Sequence, residues 1–163
     1  VLSNFTYGQK ISNVDFDAIH EEIADSSSNF FYQTLVSRFQ EQDTTLTNAE
    51  FTRLYYGNVF QENYYPYGAT DKQRLFEDSY KANTSFTDTE KLGLAVLNET
   101  PVNLGVLLKM VFLYNREKDI GRATIFAKLY VSFLEVIYAS GTGEDCNNGF
   151  VVIYFATLSP PCS

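Results

Sequence analysis

From position 15 onward the apolar residues of this chain recur at helical spacing. Phe16, Ile19 and Ile23 fall at i, i+3 and i+7 while Asp17, Glu21 and Glu22 point elsewhere, which predicts a first amphipathic helix. The polar run 25–29 breaks it. Phe31, Leu35 and Phe39, with Val36 beside them, predict a second helix over 29–41. Thr47-Asn48-Ala49-Glu50 is a capping-box sequence, in which the Thr hydroxyl and the Glu carboxylate each satisfy an amide the helix leaves unpaired. It opens a third helix carrying Phe51, Leu54 and Tyr55 on one face, with Gly57 expected to stop it.

Residues 70–81 are weakly helical through Leu75, Phe76 and Tyr80. Thr87, with Glu90 three places on, is expected to cap a helix reaching Leu97, and Pro101 closes that segment. Leu104, Leu107, Leu108, Val111 and Phe112 predict a strongly apolar helix. After a polar turn at 115–119, the longest stripe of the chain runs through Ala123, Phe126, Ala127, Tyr130, Phe133, Leu134 and Ile137. Two turn-forming runs follow, Ser140-Gly141-Thr142-Gly143 and Asn147-Asn148-Gly149. Residues 150–155 are β-branched and aromatic and read as a strand.

The expected architecture is a mainly α (α+β) single domain over 1–163. Residues 1–14 form an extended lead-in, 15–139 the helices and 149–158 a short C-terminal β element. Within the helices, Pro101, Leu107, Tyr114 and Ala123 have the spacing of a tetratricopeptide hairpin, with Asp119 in its turn. One such hairpin over 104–137 fits, whereas the preceding period repeats little beyond Tyr80. The prediction is therefore a tetratricopeptide-like antiparallel helical array, not a regular repeat.

Composition narrows the function classes. The 163 residues are 45% hydrophobic, enough for a core, and 16% aromatic, with 14 Phe, 12 Tyr and no Trp. The net charge of −8, from 20 acidic and 12 basic residues, disfavours nucleic acid and anionic membrane surfaces. No apolar run reaches the about 18 residues that a transmembrane helix needs. The chain opens at Val1 without Met, as removal of a leader or simple trimming would leave it. Cys146 and Cys162 are either a disulfide, if the protein is exported, or two free thiols. With His20 the only histidine and far away, they do not make a metal site, and no cofactor motif is present.

The motifs with chemical potential are few. His20 is the one base that titrates near neutrality, but no nucleophile motif accompanies it. The glycines at 141 and 143 suggest an anion loop, yet the phosphate-binding Lys and the strand-before-helix order are missing. Asp15 with Asp17, and Glu144 with Asp145, lack calcium-loop spacing. The strongest candidate is aromatic. Tyr55, Tyr56, Phe60, Tyr64, Tyr65 and Tyr67 crowd the stretch 55–67, broken by Gly57 and Pro66. Buried tyrosines would make this a loop folded onto the core. Exposed ones would make a partner-binding surface, because Tyr gives a large rigid contact face plus a hydroxyl. Tyr56, Tyr64, Tyr65 and Tyr67 are the expected partner contacts.

At larger scale the chain resembles a family of exported Bacteroidetes proteins known only as a domain of unknown function. Asp43-Thr44-Thr45-Leu46-Thr47, Leu54-Tyr55-Tyr56-Gly57 with Phe60-Gln61, and Tyr65-Pro66-Tyr67-Gly68 carry the resemblance. Pro101-Val102-Asn103-Leu104, the turn at 119–123 and Ser140-Gly141-Thr142-Gly143 extend it over about residues 15 to 155. It implies export to the periplasm or cell envelope and no established activity. Asp43-Thr44-Thr45 is also similar to the O-glycan acceptor pattern of such proteins. The expected function is a non-catalytic envelope module that binds a protein or peptide, an outer-membrane complex being one candidate partner. The alternative is an envelope hydrolase acting on glycan or peptide through carboxylates that only the fold brings together.

Overall fold

The computed structural model describes residues 14–83, 85–144 and 148–154. Most of the lead-in, Cys146, Cys162 and positions 155–158 of the expected strand lie outside the described residues. Seven helices are present among those described: α1 (Phe16–Ala24), α2 (Tyr32–Gln40), α3 (Asn48–Gly57), α4 (Asp71–Ala82), α5 (Phe86–Glu99), α6 (Leu104–Arg116) and α7 (Ile120–Ala139). None is long and apolar enough to cross a membrane.

Most helix starts follow from a polar side chain that accepts an otherwise unpaired amide. Asp15 caps α1 through Ala18 N–H at 3.0 Å, Asn103 caps α6 through Val106 N–H at 3.1 Å, and Asp119 caps α7 through Arg122 N–H at 3.0 Å. The Thr47–Glu50 capping box forms as expected. The start of α5 does not. Ser85, not Thr87, is its cap, accepting from Asp88 N–H, and Thr87 lies inside the helix. The Glu90 carboxylate that would have completed a box with Thr87 instead accepts from the Tyr114 hydroxyl and pairs with Arg122. α2 begins at Tyr32 rather than 29, because Ser28 bonds the Phe30 and Phe31 amides in a turn.

The helices pack as an array whose contacts close on themselves: α5 on α6, α6 on α7, α7 on α3, α3 on α2, and α2 back on α5. α1 adds to the outside of α3, and α4 to the outside of α5. The hairpin expected over 104–137 is α6 and α7, joined by a short connection in which Lys118 adopts φ 61°. Ala123 is buried on α7. Phe133 sits at the centre of the core, its ring 5.1 Å from Phe51, 5.9 Å from Phe39 and 6.0 Å from Tyr55.

α3 ends at Gly57 as expected, but not through a left-handed cap. Its φ of −65° is right-handed, and the chain continues from it into a 3₁₀ turn, Asn58–Phe60. The residue is small because α1 and α2 come close: a Cβ there would lie 2.9 Å from Ile23 Cδ1 and 3.3 Å from the Tyr32 ring.

The expected C-terminal β element is corrected in its described part. Residues 149–154 run without forming a strand. A strand needs a second strand to take its amides and carbonyls. This chain supplies side-chain hydroxyls instead.

Candidate functional site: an aromatic cavity beside a tyrosine-held strap

Residues 148–154 form a strap across the ends of α3 and α7. Val151 N–H donates to Ser140 Oγ at 2.8 Å, and the Tyr56 hydroxyl donates to Val151 O at 3.1 Å. Two residues on, Ile153 N–H donates to the Tyr55 hydroxyl at 3.4 Å, and Tyr64 donates to Ile153 O at 2.6 Å. Hydroxyls thus hold the amide and carbonyl of alternate residues, as a neighbouring strand would. The Ile153 side chain is buried in the core.

Beneath the strap, Asn58 is buried between two tyrosines. Its side-chain amide donates to the Tyr32 hydroxyl at 2.9 Å and accepts from the Tyr154 hydroxyl at 2.7 Å. Burial pushes the Tyr32 phenol up to about 12, with the Asn58 bond pulling the other way. Burial also raises Tyr55, Tyr56, Tyr64 and Tyr154 above the usual phenol range.

The expected partner-contact tyrosines therefore separate. Tyr56 is 1% exposed and belongs to the core, a correction to its placement on the surface. α3 has α1 on one side and α7 on another, and its end is covered by the strap, so no face at position 56 is left open. Tyr64 is half-buried, bonded to the strap and packed edge-on to Tyr154 at 5.6 Å. Tyr65 and Tyr67 are 55% and 73% exposed.

Those two rings stand over a cavity of 530 Å³, lined also by Gln73, Thr100, Asn103 and Tyr154. Every described residue lining it is uncharged. The loop that displays the rings is fixed from several sides. Asn63 donates to Glu99 O at 2.7 Å, and Thr70 caps α4 through Gln73 N–H at 3.2 Å. Tyr65 lies over Gly68, where a Cβ would come within 2.7 Å of its Cε1 and push the ring aside. Asn103 Nδ2 donates to Gln73 Oε1 at 3.2 Å, tying the start of α4 to the start of α6 across the cavity. The neighbouring charges are paired with one another: Lys72 with Glu99, and Arg74 with Asp71.

The other candidate features resolve into structural roles. His20 is an exposed side chain stacked on Phe60 at 4.3 Å. The amides of Thr142 and Gly143, which an anion would need, both donate to Asn148 O, at 2.9 and 2.8 Å. Asp43 Oδ1 accepts from the Thr45 hydroxyl and amide, and its Oδ2 from Arg38 Nε. Those bonds, the Thr45 hydroxyl first, hold the Asp43 carboxyl down at about 2. Among the described residues no three His, Cys, Asp or Glu side chains gather as a metal site.

Residues 17–157 match a family described as Domain of unknown function (DUF4919). The chain belongs to this family. No curated protein and no solved structure matches it. Sequence reasoning found the tyrosines of this DUF4919 domain but not Gln73, Thr100, Asn103 or Tyr154. These come from separate elements, and no local pattern links them to residues 65–67. The nearest signal was the polar break around Pro101, which holds Thr100 and Asn103 between two apolar helices.

Proposed function

We propose that this domain is a non-catalytic interaction module of the Bacteroidetes cell envelope, exported to the periplasm, that holds a protein or peptide partner at the 65–73 cavity. The observation that carries the reading is the exposure of Tyr65 and Tyr67 over an uncharged cavity, while the remaining tyrosines of the same stretch are committed to the core and strap. Large apolar rings cost free energy in water. The Tyr65 ring, packed on Gly68 and preceding Pro66, loses little entropy on contact, which makes it an effective anchor. Export follows from the resemblance to exported proteins. The hydrolase alternative requires paired carboxylates in a cavity, and no Asp or Glu among the described residues lines this one.

The test is quantitative capture from the native envelope. Tyr65→Ala and Tyr67→Ala should each weaken retention by about fivefold to 150-fold, equivalent to about 1–3 kcal/mol, with the melting temperature essentially unchanged. Ile120→Ala, an equally exposed apolar position on α7, should leave retention alone. Equal loss from Ile120→Ala, or no loss from the two tyrosine variants, would remove the assignment.

A further inference from the structure

We infer that an outer face of α7 is a self-association surface, on which two copies of this domain pair their α7 helices antiparallel about a two-fold axis. α7 turns Ala123, Phe126, Leu129, Phe133, Val136 and Ile137 into the core. The rest of its circumference should then be polar, as on any helix that faces water. It is not. Val131 and Tyr138 are 48% and 53% exposed, and Ala127 and Leu134 are partly exposed beside them. These four follow one another at spacings of four, three and four. That is the 3.5-residue period which keeps one seam facing a second helix along its length. Thr124 interrupts the seam and leaves Ile120 beyond it. At the other end the exposed Phe150 packs edge-on to Tyr138 at 5.3 Å, so the apolar patch extends past the helix.

Charge selects a second copy as the occupant. Of the charged side chains on α7, Arg122 pairs with Glu90 and Asp119. Lys128 and Glu135 are exposed and enter no ion pair among the described residues. Each lies one place after a seam residue, Ala127 or Leu134, so both border the seam on the same side. A two-fold axis crossing α7 near residue 132 sets Lys128 of each copy against Glu135 of the other. The same axis sets Val131 against Leu134, and the small Ala127 against the large Tyr138, in a self-complementary contact. A parallel pair instead sets the two charges against Ala123 and Tyr130, which carry none. A foreign helix must bring both counter-charges itself, whereas this chain already carries them in register. The overlap, residues 127–138, is about 18 Å of helix, far less than a permanent interface covers, so pairing depends on concentration.

The experiment is sedimentation equilibrium of the full chain from about 10 μM to about 1 mM, a range that reaches weak pairs. The native chain should pass from monomer to dimer and no further. Val131→Glu should stay monomeric throughout. Lys128→Glu and Glu135→Lys each set like charges together at both ends of the contact, and each alone should weaken the dimer by about tenfold or more. Mixed in equal amounts, these two variants restore both opposite-charge pairs, so the mixture should dimerise about as well as the native chain. All three positions are exposed, and unchanged thermal unfolding of each monomer confirms its fold. None of them lines the cavity, so self-association is read separately from partner capture. A native chain that stays monomeric at the highest concentration overturns the inference. So does a dimer that survives Val131→Glu, an open series of larger oligomers, or a mixture no stronger than either charge variant alone.

Discussion

Replacing Asn58 by Ala probes the join between core and site. The side chain is 2% exposed and bonds two hydroxyls, Tyr32 at 2.9 Å and Tyr154 at 2.7 Å. Tyr32 is itself buried, so losing Asn58 strands its hydroxyl away from water, at about 1–3 kcal/mol. Tyr154 is half-buried and can rebond to water, so its part is the net worth of one bond, about 0.5–1.5 kcal/mol. The sum is about 1.5–4.5 kcal/mol, which in a chain of this size lowers the melting temperature by about 3–18 °C. Urea unfolding of Asn58→Ala, Tyr154→Phe and the double variant measures it. Because the two changes cut the same bond, the double variant should be less destabilised than the sum of the singles. Amide exchange at Val151 and Ile153 should also quicken in Asn58→Ala, since the strap loses an anchor. A cost below about 1 kcal/mol, or full additivity in the double variant, would show that Asn58 does not tie the strap to the core.

Gly93→Ala should destabilise by about 1–3 kcal/mol in thermal unfolding, despite alanine's better helix propensity. The new methyl would meet Met110 Sδ and Phe76 Cε2, 2.9 Å away in the second case, and both residues are fully buried. Alkali should unfold the domain cooperatively. Six phenols (Tyr32, Tyr55, Tyr56, Tyr64, Tyr114 and Tyr154) are raised above the ordinary phenol range, each with burial as the leading cause. A raised acid contributes stability that is complete below its unfolded pKa and lost as pH rises toward its folded value. Stability should therefore hold up to about pH 10 and fall beyond it, with much of the 295 nm phenolate absorbance arriving together with loss of helix. Smooth ionisation of all tyrosines before any helix is lost would contradict the burial described.

The helices were legible in the sequence because their apolar stripes and caps are local. Thr47 with Glu50 is a motif complete within one turn, and it forms as written. Thr87 with Glu90 has the same pattern and fails, because Glu90 is claimed across the fold by Tyr114 and Arg122. Local chemistry cannot announce such a long-range competitor. The segment 150–154 has strand composition, but it has no strand to pair with among the described residues, and hydroxyls far away in sequence take its backbone groups. Helical periodicity placed Tyr55 in the core correctly. Tyr56 eluded it because α3 is covered on more than one face, which a one-sided amphipathic pattern does not encode. The cavity was half legible: its rings come from one aromatic run, whereas Gln73, Asn103 and Tyr154 are brought there only by tertiary packing.

The most direct test of partner binding at the cavity is photo-crosslinking in the native cell. A benzophenone amino acid replaces Tyr67, and in a parallel strain replaces Ile120, two comparably exposed positions on different elements. The account predicts one discrete protein adduct from position 67, competed away by excess unmodified domain, and none from position 120. No adduct from 67, or the same adduct from both positions, would contradict it.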